Sequence, residues 1–279
     1  MLLRALLIAV AGWLCFLQPV QAETLVLIQG YLGSAGSWRH SGVAPVLVAS
    51  GWADGGHLTL GPRGVAALTA APDAAQRFYT LDLPTEAPVG VQARLLNAYV
   101  DWVAARHKDD PIVLVGHSAG GVVARFVMVT RRDRAVRGLI TIASPHLGSG
   151  LADTASAIGN SPLAMVAPLF GGGTLNRSRG LYQDLGTAGP QNLVGWLNMQ
   201  THPDAHYVSV IRTENPHHPG AGDDVAEGWR QDLRNVPALK GRAKSYASPG
   251  GYELRADDGY VIANVVEGFG LAGESTKAK

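Results

Sequence analysis

The chain of 279 residues carries 23 lysines and arginines against 22 aspartates and glutamates, with a single cysteine and 47% apolar residues. This near-neutral balance, with no basic tract and no aromatic ladder, argues against nucleic-acid binding, and one cysteine excludes an intrachain disulfide. A chain of this length buries a large core without covalent staples.

Met1 to Ala22 carries one charge, Arg4, followed by an apolar run from Ala5 to Leu17 and then Pro19 and Val20-Gln21-Ala22. These are the parts of a secretory signal with an A-x-A-like cleavage site, predicting a mature start at Glu23. The run is too short for a stable membrane span. Trp13 and Leu14 stand before Cys15 where a lipobox needs small residues, so lipid attachment is not expected. Cleavage removes Arg4 and Cys15, leaving a thiol-free chain of zero net charge. The expected location is periplasmic or secreted, and no later run suggests a membrane span.

Thr24 to Gln29 is an apolar run that predicts a buried parallel strand. A loop of glycines and small residues, Gly30 to Ser37, follows it, and Val43 to Ala49 then continues as a short helix stopped by Gly51. Trp52 to Ala71 mixes β-prone residues with Gly and Pro and stays unassigned. Arg77 to Leu83 reads as a second strand. In Val91 to Arg106, apolar Leu95, Leu96, Tyr99, Val100 and Val103 mark an amphipathic helix.

Pro111 to Val129 holds the most informative pattern. Ile112 to Val115 is a short apolar strand, Gly116-His117-Ser118-Ala119-Gly120 follows, and Val122, Val123, Phe126 and Val127 then recur at helical spacing. A strand, a G-x-S-x-G turn and a helix form the context of a nucleophile elbow. The helix that starts there aims its free N–H groups and positive dipole end at Ser118.

Val136 to Ala143 is a further strand, leading into Ser144-Pro145-His146-Leu147-Gly148. Tyr207 to Ile211 and Arg242 to Ala247 read as strands, Ala226 to Leu233 as a short helix and Asp257 to Phe269 as a closing helix, with Asp257 and Asp258 as favourable charge at its start. Strands alternating with helices predict an α/β class fold, a mostly parallel sheet with helices on both faces. One domain is expected over residues 23–279. The stretch of about 149–200 interrupts the alternation with an apolar run, Leu151 to Phe170, and the triplet Gly171-Gly172-Gly173, which makes it a lid candidate.

GHSAGG at Gly116 to Gly121, QGYLGSAGSW at Gln29 to Trp38 and TIASPHLGS at Thr141 to Ser149 resemble segments of the α/β-hydrolase superfamily, in particular secreted bacterial lipases and esterases. The resemblance implies an α/β-hydrolase fold and a carboxylic-ester hydrolase acting on a small-molecule ester or lipid. It makes Ser118 the nucleophile, with the N–H groups of Tyr31 and Ala119 as oxyanion donors. Gln29 departs from the histidine usual before that glycine. The acid is expected after the strand at Tyr207 to Ile211: Asp223 first, then Asp224, then Glu214. No cofactor is implied; related lipases can carry a structural calcium, for which no ligands are assigned here.

The base breaks the pattern. Relatives carry a Gly-His-x-Leu sequence between the last strand and the last helix, and here that place reads Gly251-Tyr252-Glu253-Leu254. Tyr252 thus takes the histidine's position, and a phenol ionising near pH 10 is a poor proton acceptor at neutral pH. No histidine follows His218. His217 or His218, close before Asp223, is the first alternative base and His146 the second; His202 and His206 read as packed or surface residues. His117 is excluded, because at an elbow its side chain diverges from that of Ser118. Two readings therefore stand: an exported lipase or carboxylesterase acting through an acyl-enzyme on Ser118, and a degenerate hydrolase that binds an acyl or lipid ligand with little turnover.

Overall fold

In Glu23–Ile28 (β1), Leu25 and Leu27 face one side of a sheet, Val26 and Ile28 the other, and all four are fully buried. That period-two pattern with both faces apolar is what a central strand between two helical layers requires. The computed structural model describes residues 23–69, 74–131, 135–159, 173–213 and 226–271. The expected secretory signal lies outside them.

The sheet adds Ala53–Gly61 (β2), Gly64–Ala67 (β3), Gln76–Leu81 (β4), Ile112–His117 (β5), Val136–Ile142 (β6), His206–Thr213 (β7) and Ala243–Pro249 (β8). The spatial order is β3-β2-β4-β1-β5-β6-β7-β8. Every pairing is parallel except the β2–β3 hairpin. The chain builds outward from β1 in one direction through β4 and in the other from β5. The crevice past the carboxyl ends of β1 and β5 is therefore the switch point where such sheets bind ligands.

The helices are Ser37–His40 (α1), Val43–Ala49 (α2), Val89–Arg106 (α3), Ala119–Arg131 (α4), Gly150–Gly159 (α5), Gly173–Arg177 (α6), Arg179–Leu185 (α7), Leu193–Met199 (α8), Gly228–Gln231 (α9) and Ala256–Glu267 (α10). One core joins Val26, Ile28, Ile112 and Leu114 to α3, α4, α7 and α8; the other joins Leu25, Leu27, Val113 and Val115 to α2 and α10. Each buried aliphatic side chain contributes about 1.5–3 kcal/mol.

The unassigned stretch after Trp52 is the β2–β3 hairpin, with Leu58 fully buried. Its register against β4 slips between Asp54 and His57, a bulge that blurs the alternation a reader of the sequence relies on. The helix expected over Ala226 to Leu233 is cut to α9, because the Asp232 side chain accepts from Arg234 N and starts a 3₁₀ turn instead. In the stretch of about 149–200, Leu181, Leu185, Val194 and Leu197 are buried in the core shared with α3 and α4. Residues 160–172, including Gly171 and Gly172, lie outside the described residues. No described helix is long and apolar enough to cross a membrane.

Candidate active site

Strand parity places the elbow's side chains. His117 continues the face of Val113 and Val115, toward α10, whereas Leu114 and Gly116 face α4. Ser118 breaks the strand at φ +52°, a left-handed conformation strained for any residue but glycine. It is held there by its own N–H, donated to Ile142 O at 2.8 Å, and by its C=O, which accepts Gly121 N at 3.0 Å. The TIASPHLGS segment packs directly on the elbow: Ser144 Oγ would lie 2.1 Å from a Cβ at Gly121.

The loop after β1 touches the same serine. A Cβ on Gly30 would fall 2.8 Å from Ser118 Cβ, so the loop passes at van der Waals contact only because that residue is glycine. Asp82, after β4, props the loop by accepting Ala35 N at 2.7 Å, and its second oxygen lies 3.2 Å from His57 Nε2. Gln29 is buried and its amide spans to the end of β4, donating to Leu81 O at 2.7 Å and accepting Leu83 N at 2.8 Å. Gln29 thus fastens the loop's root. The Tyr31 and Tyr182 hydroxyls meet at 2.5 Å and tie the loop to α7. Among the described residues no protein acceptor takes the N–H of Tyr31 or of Ala119.

The third wall is the loop between β8 and α10. Arg212 and Asp258, both fully buried, form a bidentate pair at 2.9 and 2.7 Å. Arg212 also donates to Ser248 Oγ at 2.8 Å and Glu253 O at 2.9 Å. Asp258 accepts Arg255 N at 2.8 Å as a capping box. The sequence suggested only a helix-dipole role for Asp258; the structure makes it the counter-ion that lashes this loop to β7. Removing either member of such a pair costs about 3–5 kcal/mol.

Tyr252 sits in that loop beside the elbow. Its carbonyl accepts a hydrogen bond from His117 Nε2 at 2.9 Å, and the two rings lie 4.9 Å apart. Because a carbonyl only accepts, Nε2 carries the proton and Nδ1 is the lone pair. Tyr31, Ser37, His40, His117, Tyr252 and Glu253 line a cleft of about 540 Å³ beside the elbow.

Burial pushes the His117 imidazole down to about 4; the bond to Tyr252 and Asp258 resist that shift, while Arg212 adds to it. In the unfolded chain this histidine takes a proton near pH 6.5, so the unfolded state binds more protons between about 6.5 and 4. Stability is therefore expected to fall as pH drops through that window, His117 accounting for roughly 2–3 kcal/mol. Thermal unfolding from pH 7.5 to 4.5 checks this, with His117→Asn losing that part of the slope. An imidazole NMR signal from His117 that titrates normally near pH 6.5 would contradict it.

The remaining candidate residues are spread out. His146 is fully buried with Nε2 2.9 Å from Thr141 Oγ1, His202 is buried with Nδ1 on Gln200 O at 2.8 Å, and His206 stacks on Phe269 at 4.7 Å. Glu214, His217, His218, Asp223 and Asp224 lie outside the described residues. No side chain among the described residues hydrogen-bonds Ser118 Oγ, and none of their His, Cys, Asp and Glu side chains form a group of three placed for a metal. His40, an exposed imidazole in the cleft wall, was not singled out in the sequence; its signal is its position directly after the QGYLGSAGSW loop.

A parallel sheet built outward from a central switch point, with a strained serine at the carboxyl end of β5, decides the architecture. The chain has the α/β-hydrolase fold. Residues 68–158, about a third of the chain, match the family described as PGAP1-like alpha/beta domain. No curated protein sequence matches significantly. Among solved structures, a protein from Listeria innocua is similar at 14% identity and TM-score 0.57, over 91% of this chain and 95% of that one. The mature form of lipase BlEst2 from Bacillus licheniformis is similar at 15% identity and TM-score 0.56, over 89% and 92%. The metagenomic carboxyl esterase MGS0156 is similar at 13% identity and TM-score 0.55, over 88% and 74%.

Proposed function

We propose that this chain is an exported lipase- or carboxylesterase-type hydrolase that cleaves carboxylic esters through an acyl-enzyme on Ser118. The observation that carries this is the contact between two elements: Ser118 at the strained elbow and the Gly30 loop, with the N–H groups of Tyr31 and Ala119 unspent beside it. The names of similar folds, a lipase and a carboxyl esterase among them, support the same chemistry.

In this reading Ser118 Oγ attacks the ester carbonyl while a base takes its proton. The two fixed N–H groups stabilise the oxyanion, which needs no reorganisation as charge develops. The tetrahedral intermediate expels the alkoxide, which receives the proton, and water repeats the sequence to free the acid. The base is His217 or His218, oriented by Asp223 or Asp224. The lid expected within about 149–200 belongs to the same proposal; within that stretch α7 and α8 are seated in the core.

Tyr252 at the relatives' histidine position, with no imidazole on Ser118 Oγ among the described residues, favours a second reading: a degenerate hydrolase that retains an acyl or lipid ligand. A fluorophosphonate probe tests the first. Labelling that disappears in Ser118→Ala is expected; no labelling of the unmodified chain sinks the claim that this serine is activated.

A further inference from the structure

The loop between β1 and α1 is fastened at two places, by Gln29 at its root and by Ala35 N on Asp82 further along. Between these anchors lies its tip, a tight turn closed by Gly33 N–H donating to Gly30 O at 3.0 Å. Of the two central residues, Leu32 alone has positive φ, at +56°. That is the type II pattern, which calls for glycine at the second central place. A leucine there crowds its Cβ against the following carbonyl oxygen. Packing does not compensate, because its side chain is 62% exposed. Relaxing Leu32 to negative φ would rotate the Tyr31–Leu32 peptide, the unit directly after the Tyr31 N–H.

A strained turn persists only where its surroundings hold it, and the Tyr31 side chain joins this tip to a helix. Its hydroxyl lies 2.5 Å from that of Tyr182 on α7, one donating to the other. The two rings meet edge to face with centroids 5.5 Å apart. Tyr182 is itself well anchored. Leu181 and Leu185 on the same helix are buried in the core, and Asp184 accepts Val89 N at 2.8 Å, pinning α7 to the start of α3. Tyr31 lines the cleft beside the elbow and Tyr182 does not.

We propose that Tyr182 is a positioning residue for the chemistry of Ser118: its bond to Tyr31 holds the strained turn, and with it the Tyr31 N–H, in the place from which that N–H meets the oxyanion. The role of the N–H rests on the ester-hydrolase reading above. The coupling is short. A Cβ on Gly30 would fall 2.8 Å from Ser118 Cβ, so the peptide that carries the Tyr31 N–H begins at the residue touching the nucleophile. Without the Tyr182 hydroxyl, water satisfies Tyr31, the ring contact survives, and the turn is released to its relaxed form.

The experiment compares Tyr182→Phe, Leu32→Gly and the double variant with the unmodified chain. It reads fluorophosphonate labelling of Ser118 and hydrogen exchange of the peptide spanning the Gly30–Ser37 loop. Tyr182→Phe is expected to slow the maximal labelling rate about tenfold, less than the roughly 10²- to 10³-fold of losing an oxyanion donor outright, with the half-saturating probe concentration unchanged. Its loop amides should exchange faster while those of α7 do not. Glycine takes positive φ without strain, so Leu32→Gly in the Tyr182→Phe background should win back about fivefold, more than it changes the unmodified chain. A merely structural loss of packing would give no such recovery. A Tyr182→Phe chain that labels at the unmodified rate, or whose loop exchanges no faster, overturns the proposal. A slowed Tyr182→Phe chain that Leu32→Gly fails to rescue overturns it too, since strain then plays no part. If the unmodified chain is not labelled, the ester-hydrolase reading fails and loop exchange alone decides on the clasp, an unchanged rate in Tyr182→Phe overturning it. Should Tyr182→Phe not fold, Tyr31→Phe removes the same bond from the loop side and is read in the same way.

Discussion

Tyr252→His is expected to raise kcat/KM for a short-chain ester by about 10²- to 10⁴-fold, the usual worth of a positioned general base. A serine hydroxyl without a base is a poor nucleophile, and deleting the histidine of a complete serine triad costs about a millionfold. Tyr252 lies in the cleft wall against the elbow, in the loop that follows β8, with its ring 4.9 Å from that of His117. The restored activity should rise with pH around 6–7 as the new imidazole loses its proton. The measurement also separates the two functional readings. If the unmodified chain already turns over quickly and Tyr252→His adds nothing, the degenerate reading is wrong; His217→Ala and His218→Ala then locate the working base. If the unmodified chain is slow and the variant fast, retention of ligand is its ordinary role.

Gly120→Ala should be one of the most disruptive single methyls at the site. Its Cβ would lie 2.4 Å from Gln29 O and 2.7 Å from Ile28 O, both main-chain atoms at the end of the central strand. Neither can give way without moving β1 against β5, so the cost is set by backbone displacement and is expected to reach about 3–5 kcal/mol. For a domain of this size the midpoint falls by roughly 6–20 °C. Because the methyl pushes the start of α4 away from the Gly30 loop, fluorophosphonate labelling of Ser118 should fall even where the variant is folded. Gly90→Ala supplies the contrast: nothing lies within 4 Å of a Cβ there, inside α3, and the change is expected to be neutral or stabilising by about 0.4–1 kcal/mol. Equal effects from the two substitutions would refute this account of the contact.

The fold was legible because its signals are local and repeated. Runs such as Thr24 to Ile28 and Ile112 to Val115 announce buried strands by composition, and a glycine-bracketed serine between a strand and a helix has few other uses. The loop at Gly30 was legible for the same reason, since small residues leave room for main-chain contact. What stayed hidden depends on partners distant in sequence. Asp258 reads as a helix-start charge until Arg212, 46 residues earlier, is seen against it. Asp82 reads as a strand-end acid until it is found under Ala35. His40 has only its place after the QGYLGSAGSW loop to mark it, and only the fold brings it to the cleft that Tyr252 lines. The β2–β3 hairpin was obscured by its own bulge, which breaks the alternation that would have revealed it.

The lashing of the β8–α10 loop has a consequence for heredity. Ser248, Glu253 and Asp258 hold that loop through Arg212, Arg255 donates to Asp258 and Ser248, and His117 grips residue 252 by its carbonyl, an atom every amino acid supplies. That grip therefore does not depend on which side chain stands at 252. Tyrosine and histidine codons differ by a single first-position transition. On the degenerate reading, a lineage carrying this scaffold would cross between holding an ester and cleaving it by that one change.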